Sequence, residues 1–290
     1  MKKIGFIGTG IMGKAMARNL LKHGYELHLY ARHPQKVEDL VAEGAILHES
    51  IAGCVQACEG LITMVGFPSD VEEVYLGEEG IFASAHPGMY LIDMTTSSPK
   101  LAKMLYAHGK VRALNVMDAP VTGGDVGAQN GTLTILAGGE PAVFETLYPI
   151  FQAMGTHVYY CGEAGNGQHM KLVNQIMIAG TLSGVSEAMA YAKAHTIDLA
   201  KVVSYLKEGA AGSKQLEMLG PKMINDDFAP GFFIKHFIKD MRLAKAESRA
   251  RDLRLNILET VLEQFESLAQ EGFEESGTQQ LITYYRKGCS

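Results

Sequence analysis

At 290 residues the chain is long for one compact core and suggests two domains, while 47% hydrophobic and 20% charged residues exclude a disordered chain. A net charge of −6 supplies no general attraction for nucleic acid or anionic lipid, so an anionic ligand has to be held by a local site. Four scattered cysteines (Cys54, Cys58, Cys161 and Cys289) exclude a disulfide scaffold or zinc module and suit reduced thiols in a cytoplasm, with Cys54 and Cys58 as small buried residues of one helix.

No segment approaches 18 uninterrupted apolar residues, and Met1-Lys2-Lys3 runs directly into Ile4-Gly5-Phe6-Ile7-Gly8, so the N-terminus reads as structural. From there β-rich runs at 3–7, 26–30, 61–65, 90–93, 116–118, 133–137 and 157–160 alternate with helical stretches at 10–23, 34–43, 68–75, 99–109 and 141–154. That alternation predicts a mostly parallel, doubly wound sheet covered by helices. Beyond Gly162-Glu163-Ala164-Gly165 the strand signals stop, and helices are expected at 167–194, 199–207, 214–224, 237–251, 257–270 and 278–285. The expected organisation is an α/β domain over residues 1–164 and an all-α domain over 165–290.

Gly8-Thr9-Gly10-Ile11-Met12-Gly13 fits G-x-G-x-x-G, and it follows a hydrophobic strand and opens a helix. In that context the glycines permit a tight turn and let backbone N–H groups approach a pyrophosphate at the positive helix end. The alternative is a glycine turn needed only for strand–helix packing. At the end of the second strand, Leu29-Tyr30-Ala31-Arg32-His33-Pro34 lacks the carboxylate that usually bonds the ribose of NAD. Arg32, helped by His33 or Lys36, suits a 2′-phosphate, so NADP(H) is preferred and NAD(H) stays possible; otherwise Arg32 is a solvated loop charge.

Two further segments bear polar chemistry. Asp118-Ala119-Pro120-Val121-Thr122-Gly123-Gly124 puts consecutive glycines and a hydroxyl after a strand end, a set of donors for a carboxylate or else an ordinary glycine-rich loop. In Gly165-Asn166-Gly167-Gln168-His169-Met170-Lys171-Leu172-Val173-Asn174-Gln175, Lys171 shares a helix face with Asn174 and Gln175. A lysine flanked by Met170, Leu172 and Val173 is either partly desolvated and suited to proton transfer or a surface lysine lying along its apolar stem. The ten histidines show no catalytic-metal spacing, so no metal is expected.

Over essentially its whole length the chain resembles the β-hydroxyacid dehydrogenases, which include 3-hydroxyisobutyrate dehydrogenase and tartronate semialdehyde reductase. The glycine turn and the Lys14-Ala15-Met16-Ala17-Arg18-Asn19-Leu20 that follows resemble the family's cofactor signature. Asp118 to Gly124 resembles its substrate-carboxylate loop, with Thr122 where the family typically has Ser. The resemblance implies that Lys171 is the catalytic lysine and Asn174 the substrate-orienting asparagine. It further implies that Lys239, in Lys239-Asp240-Met241-Arg242, points towards nicotinamide and substrate, and that Val65, Gly66 and Thr96 touch the cofactor. Gly66-Phe67-Pro68 departs from the family's Leu-Pro-Asn-like sequence, which puts that loop's contacts in doubt.

The implied reaction transfers hydride between NADP(H) and a small 3-hydroxy acid or semialdehyde, such as 3-hydroxyisobutyrate or 2-hydroxy-3-oxopropionate. The carboxylate docks at Thr122-Gly123-Gly124 and Lys171 moves the proton. The larger relative 6-phosphogluconate dehydrogenase is disfavoured by the short helical half and by Asn174 and Ile178 where that enzyme has His and Glu. Imine-reducing relatives usually lack the lysine. A noncatalytic NADP(H) sensor would not require Lys171 with Asn174, and a larger or amino-bearing 3-hydroxy acid is the remaining alternative. Small residues from Gly180 to Met189 on the long helix, together with the resemblance, point to a homodimer or homotetramer; they serve packing within one chain equally well.

Overall fold

The computed structural model describes residues 1–286, so Cys289 lies outside the described residues. The chain divides into two compact units, Met1–Lys171 and Leu172–Ser290. The first opens with β1 (Lys3–Ile7), α1 (Ile11–Lys22), β2 (Glu26–Tyr30), α2 (Glu38–Ala42), β3 (Ile46–His48), α3 (Ile51–Gln56) and β4 (Gly60–Thr63). It continues through α4 (Pro68–Leu76), α5 (Ile81–Ser84), β5 (Tyr90–Asp93), α6 (Pro99–Lys110) and β6 (Asn115–Asp118). The six strands form one parallel sheet in the order β3-β2-β1-β4-β5-β6, the doubly wound arrangement of dinucleotide-binding folds. Its central strands are continuously apolar because helices cover both faces: Ile4, Phe6, Leu61, Ile62, Leu91 and Ile92 are all fully buried.

The expectation of a single sheet is corrected. Residues 133–137 and 157–160 do form strands, but β7 (Val121–Thr122), β8 (Leu133–Ala137) and β9 (Gly155–Tyr160) make a separate three-stranded sheet. β7 pairs antiparallel to β8, so the chain has to reverse after β6, and an isolated bridge between Asp118 and Gly138 is what joins the two sheets. The expected glycine loop after Thr122 is instead the start of α7 (Gly124–Asn130), which Gly123 (φ 132°) and Gly124 (φ 65°) allow by taking left-handed conformations. α8 (Pro141–Gln152) then leads to β9. Cys54 is buried in α3 and Cys58 is buried just past its end, so the two do not share one helix.

α9 (Asn166–Ala194) has 29 residues, about 43 Å at 1.5 Å per residue, and the division between the units falls inside it, after Lys171. The expected boundary at 164/165 lies earlier because the first turn of α9 is hydrogen-bonded to strand ends of the first unit. The second unit continues with α10 (Leu199–Leu206), α11 (Lys214–Ile224), α12 (Ile234–Arg249), α13 (Asn256–Gln270) and α14 (Leu281–Arg286). Its core holds Leu182, Met189, Phe237, Met241, Phe265 and Leu281, with Phe237 and Phe265 edge to face at 5.1 Å. α12 begins at Ile234, three residues before its expected start, because a bridge from Phe233 to Gly277 and the Ile234 N–H to Ser276 oxygen bond order the preceding chain. The expected helix at 278–285 is a 3-10 turn (Thr278–Gln280) followed by α14. No helix among the described residues is long and apolar enough to cross a membrane.

The turn from β1 into α1 separates two kinds of glycine. A Cβ on Gly13 would lie 1.9 Å from the Gly8 oxygen, and one on Gly8, itself at φ 95°, would lie 2.2 Å from the Met64 oxygen. At Gly10 a Cβ meets nothing within 4 Å. Packing of this chain therefore requires the first and third glycines but places no demand on the second. Gly13→Ala is expected to lower stability by about 2–4 kcal/mol in urea unfolding, and Gly10→Ala by less than about 1 kcal/mol. Equal losses would show that the turn makes no such distinction.

Candidate active site

α1 starts at Gly10 without a side-chain cap and with no acidic residue in its first turn. Its free N–H groups and positive dipole end are left for an anion. They border a cleft of about 540 Å³ that Gly8, Gly10, Arg32 and Val65 all line, as do His33 and Lys36. Ile11 is exposed at the start of α1, whereas Met12 packs against the core and Gly13 is buried. Gly66 is half-buried between β4 and α4 and does not line the cleft.

The charges around this cleft are already sorted. Lys14 lies 2.7 Å from Asp39, and Arg18 bonds Asp39 and Glu43, so Asp39 in α2 and Glu43 just past its end are balanced by the cations of α1. The Lys14 hydrogen bond, ahead of that from Arg18, holds the Asp39 carboxyl down at about 2. Arg32 has no ion pair among the described residues, and with His33 and Lys36 it forms the basic side of the cleft. Asp70, Glu73, Glu78 and Glu79, on α4 and the segment after it, form the acidic side.

At the C-terminal ends of β4, β5 and β6 a buried polar network takes over. Asp93 Oδ1 accepts from the Thr63 hydroxyl (2.9 Å) and from the Thr95 N–H (3.1 Å), and the Thr95 hydroxyl accepts from the Val65 N–H (3.0 Å). Asp118 closes the start of α9: Oδ1 accepts from the Gly165 N–H at 2.7 Å and Oδ2 from the Gln168 N–H at 2.9 Å. A Cβ on Gly167 would lie 2.7 Å from the same carboxylate, so only glycine lets the helix start approach so closely.

Burial pushes the Asp118 carboxyl up to about 6 in spite of those two donors. The folded chain thus keeps this proton to about pH 6, whereas the unfolded chain loses it near the ordinary value of 3.8. The group's contribution to stability is present in full below that ordinary value and is lost as pH rises through 6.

Gln168, fully buried, uses both halves of its amide: Nε2 donates to the Thr95 oxygen at 2.7 Å, and Oε1 accepts from the Ser97 N–H at 2.8 Å. Half-buried Thr96 lies between those two peptide groups. One turn along α9, Lys171 is only 6% exposed, which removes the reading of a lysine spread along the surface. Thr122 is half-buried in β7, and Gly123 and Gly124 are exposed at the turn into α7, four to six residues past Asp118.

In the second unit the expected residues are joined through two that sequence reasoning did not assign a role. The Asn174 amide donates to Gln175 Oε1 (2.8 Å), the Gln175 amide donates to Asp240 Oδ2 (2.6 Å), and Lys239 Nζ lies 3.0 Å from Asp240 Oδ1. Asp240 and Gln175 are each 1% exposed. Asn174 and Lys239, 65 positions apart, are thereby linked by two hydrogen bonds and an ion pair. Gln175 and Asp240 stand beside quoted motif residues, but nothing in sequence spacing pairs α9 with α12. Among the described residues no group of three or more His, Cys, Asp or Glu is arranged to hold a metal ion.

Comparison with known proteins agrees with this geometry. The sequence model for the NAD binding domain of 6-phosphogluconate dehydrogenase matches residues 3–162, and that for the NAD-binding region of NADP-dependent 3-hydroxyisobutyrate dehydrogenase matches residues 165–285. The chain is 37% identical to the 2-hydroxy-3-oxopropionate reductase of Escherichia coli, over 93% of this chain and 92% of that one. It is 33% identical to an NAD-dependent L-serine dehydrogenase of Pseudomonas aeruginosa, over 95% of each. The crystal structure of a 3-hydroxyisobutyrate dehydrogenase from Salmonella typhimurium superposes with a TM-score of 0.90 at 27% identity, covering 98% of this chain and 99% of that one. A glycine turn opening a cleft at the C-terminal ends of parallel strands, a buried lysine on the helix that follows, and relatives of this kind along its whole length make the chain an NAD(P)-dependent member of the β-hydroxyacid dehydrogenase family.

Proposed function

We propose that the chain reduces a small semialdehyde bearing a carboxylate, of the type of 2-hydroxy-3-oxopropionate, with NADPH, and in reverse oxidises the corresponding 3-hydroxy acid. The observation that carries this reading is the buried Lys171, one turn beyond an amide clamped to the loop that holds Thr96. The bound nicotinamide supplies or accepts the hydride. Thr122, Gly123 and Gly124 hold the substrate carboxylate, Asn174 orients the reacting oxygen, and Lys239 neutralises charge beside it. As ammonium, Lys171 protonates the developing alkoxide; as amine, it takes the hydroxyl proton in oxidation.

Lys171→Ala is expected to reduce turnover by about 10²- to 10⁴-fold while NADPH binding, followed by fluorescence titration, changes little. Activity within about threefold of wild type, equivalent to only about 0.65 kcal/mol of barrier, would end the assignment.

The preference for NADPH rests on Arg32, His33 and Lys36 at the cleft and on the absence of a free carboxylate at the end of β2. Arg32→Ala is expected to raise the KM for NADPH about tenfold or more, the size of one hydrogen bond to a charged group, and to leave that for NADH nearly unchanged. Equal effects on both dinucleotides would show that Arg32 does not read the 2′-phosphate. The Pseudomonas relative supports a second reading, an amino-bearing 3-hydroxy acid taken with NAD, and equal KM effects would favour it.

The chain works in the cytoplasm, where buried Cys54 and Cys58 stay reduced, without nucleic-acid or membrane partners, and as a homodimer or homotetramer. In the second unit Val173, Met177 and Tyr191 on α9 and Ile257 on α13 are at least half exposed, and beside them Gly180 and Gly184 leave room for a close approach. Light scattering at micromolar concentration should give two or four times the chain mass. A single chain mass that does not rise with concentration would rule the assembly out.

A further inference from the structure

We propose that Gln168 is a positioning residue for the reaction: its clamped amide sets the register between the Thr95–Ser97 segment and Lys171. The inference deepens the reading given under Proposed function, in which Lys171 moves the proton, together with the cofactor contact that the family resemblance implies for Thr96, and rests on it.

Three observations carry it. First, the clamp is two-sided. A primary amide offers a donor and an acceptor about 2.2 Å apart, and here both are used on one short stretch, the Thr95 oxygen at 2.7 Å and the Ser97 N–H at 2.8 Å. These two groups flank Thr96, so the clamp fixes the peptide units on either side of it. Second, Gln168 is anchored at its own backbone, since its N–H donates to buried Asp118 at 2.9 Å. The end of β6, the segment after β5 and the first turn of α9 therefore meet at one residue. Third, Gln168 stands three positions before Lys171 in the same helix, so a shift or rotation at the clamp passes directly to the lysine backbone one turn away.

The side chain is fully buried, and each half of its amide has a partner at normal hydrogen-bond length. Packing alone would be met by leucine or methionine of similar volume. An amide aimed at two backbone groups is what packing does not require and what alignment does. The reacting centres are sensitive to such alignment, because a displacement of about 1 Å at a catalytic group costs about 10²-fold in rate.

The test uses the full chain, NADPH and 2-hydroxy-3-oxopropionate, with Gln168→Leu, Gln168→Glu and Lys171→Ala side by side. Gln168→Leu keeps the volume and removes both hydrogen bonds. It is expected to lower kcat about 10- to 100-fold while the KM for NADPH changes less than about threefold, and to raise the primary isotope effect with NADPH deuterated at the transferred position.

Gln168→Glu supplies the signature a packing role would not give. As a neutral acid its carbonyl oxygen accepts from Ser97 and its O–H donates to Thr95, reproducing the amide; ionised, its second oxygen faces the Thr95 carbonyl oxygen. Its kcat relative to wild type at the same pH is expected to climb as pH falls from about 8 to 5.5, while that of Gln168→Leu stays flat. Asp118, which accepts from the Gln168 N–H, and Asp93, which accepts from the Thr95 N–H, face the clamp, and Lys171 stands one turn along; all three are present in Gln168→Leu, so a slope seen with Gln168→Glu and absent from Gln168→Leu belongs to the new carboxyl. If Gln168→Leu does not fold, the pH dependence of Gln168→Glu alone decides.

The proposal is overturned if Gln168→Leu keeps kcat within threefold, if the loss appears in the KM for NADPH instead of kcat, or if the Gln168→Glu ratio is independent of pH. Full activity of Lys171→Ala would instead overturn the underlying reading.

Discussion

The start of α9 is held by two buried polar side chains, and the position of every residue assigned to chemistry on that helix follows from them. A helix begins with N–H groups that have no partner in the helix, and burying them unpaired costs about 1–3 kcal/mol each. Here Asp118, at the end of β6, accepts from the Gly165 and Gln168 N–H groups, and Gln168 returns two bonds to the segment after β5. The arrangement ties the helix to the C-terminal ends of parallel strands, where open α/β sheets bind their ligands. Lys171 lies one turn along from that anchor and is buried. The arrangement also places a carboxylate with a pKa of about 6 at the root of the helix, where burial outweighs the donors that favour its ionised form.

Further along the same C-terminal edge of the sheet, the end of β1 handles a different problem with backbone instead of side chains. Gly8 and Gly13 let β1 and α1 pack closely, while Gly10 leaves open space at an uncapped helix start. Asp39 and Glu43 beside that helix start are already paired with Lys14 and Arg18. Arg32 is kept out of those pairs. Packing in the helix and charge balance beside it thus leave the basic side of the cleft, with Arg32 and Lys36, and one set of N–H groups available together, which suits a phosphorylated ligand.

Much of this was legible in the chain itself, for physical reasons that also explain the gaps. The strand, glycine turn and helix from Lys3 to Lys22 announce themselves because local periodicity and local backbone demands coincide there. The long helix could be read from an uninterrupted proline-free stretch. β3, β7, α5 and α7 are not legible, since each is seven residues or fewer and depends on neighbours for its bonds, whereas a helix is expected around Cys54, where α3 stands. Residues 133–137 and 157–160 were read as strands but assigned to the wrong sheet, because pairing partners are chosen by how the chain reverses at Gly123 and Gly124. Lys171 and Asn174 stood out through their motif. Gln168, Gln175 and Asp240 did not, because a buried amide or carboxylate reveals its role only when its partner from a distant element is brought within 3 Å.

The proposed reaction is a direct hydride transfer between a nicotinamide dinucleotide and the carbonyl carbon of a small semialdehyde. The most direct measurement follows the label: the protein is incubated with NADPH carrying deuterium at both C4 positions and 2-hydroxy-3-oxopropionate, and the product is analysed by mass spectrometry and proton NMR. Direct transfer places one deuterium in each product molecule, bonded to the former aldehyde carbon. Product formed without deuterium at that carbon, or no turnover with either NADPH or NADH, would contradict it.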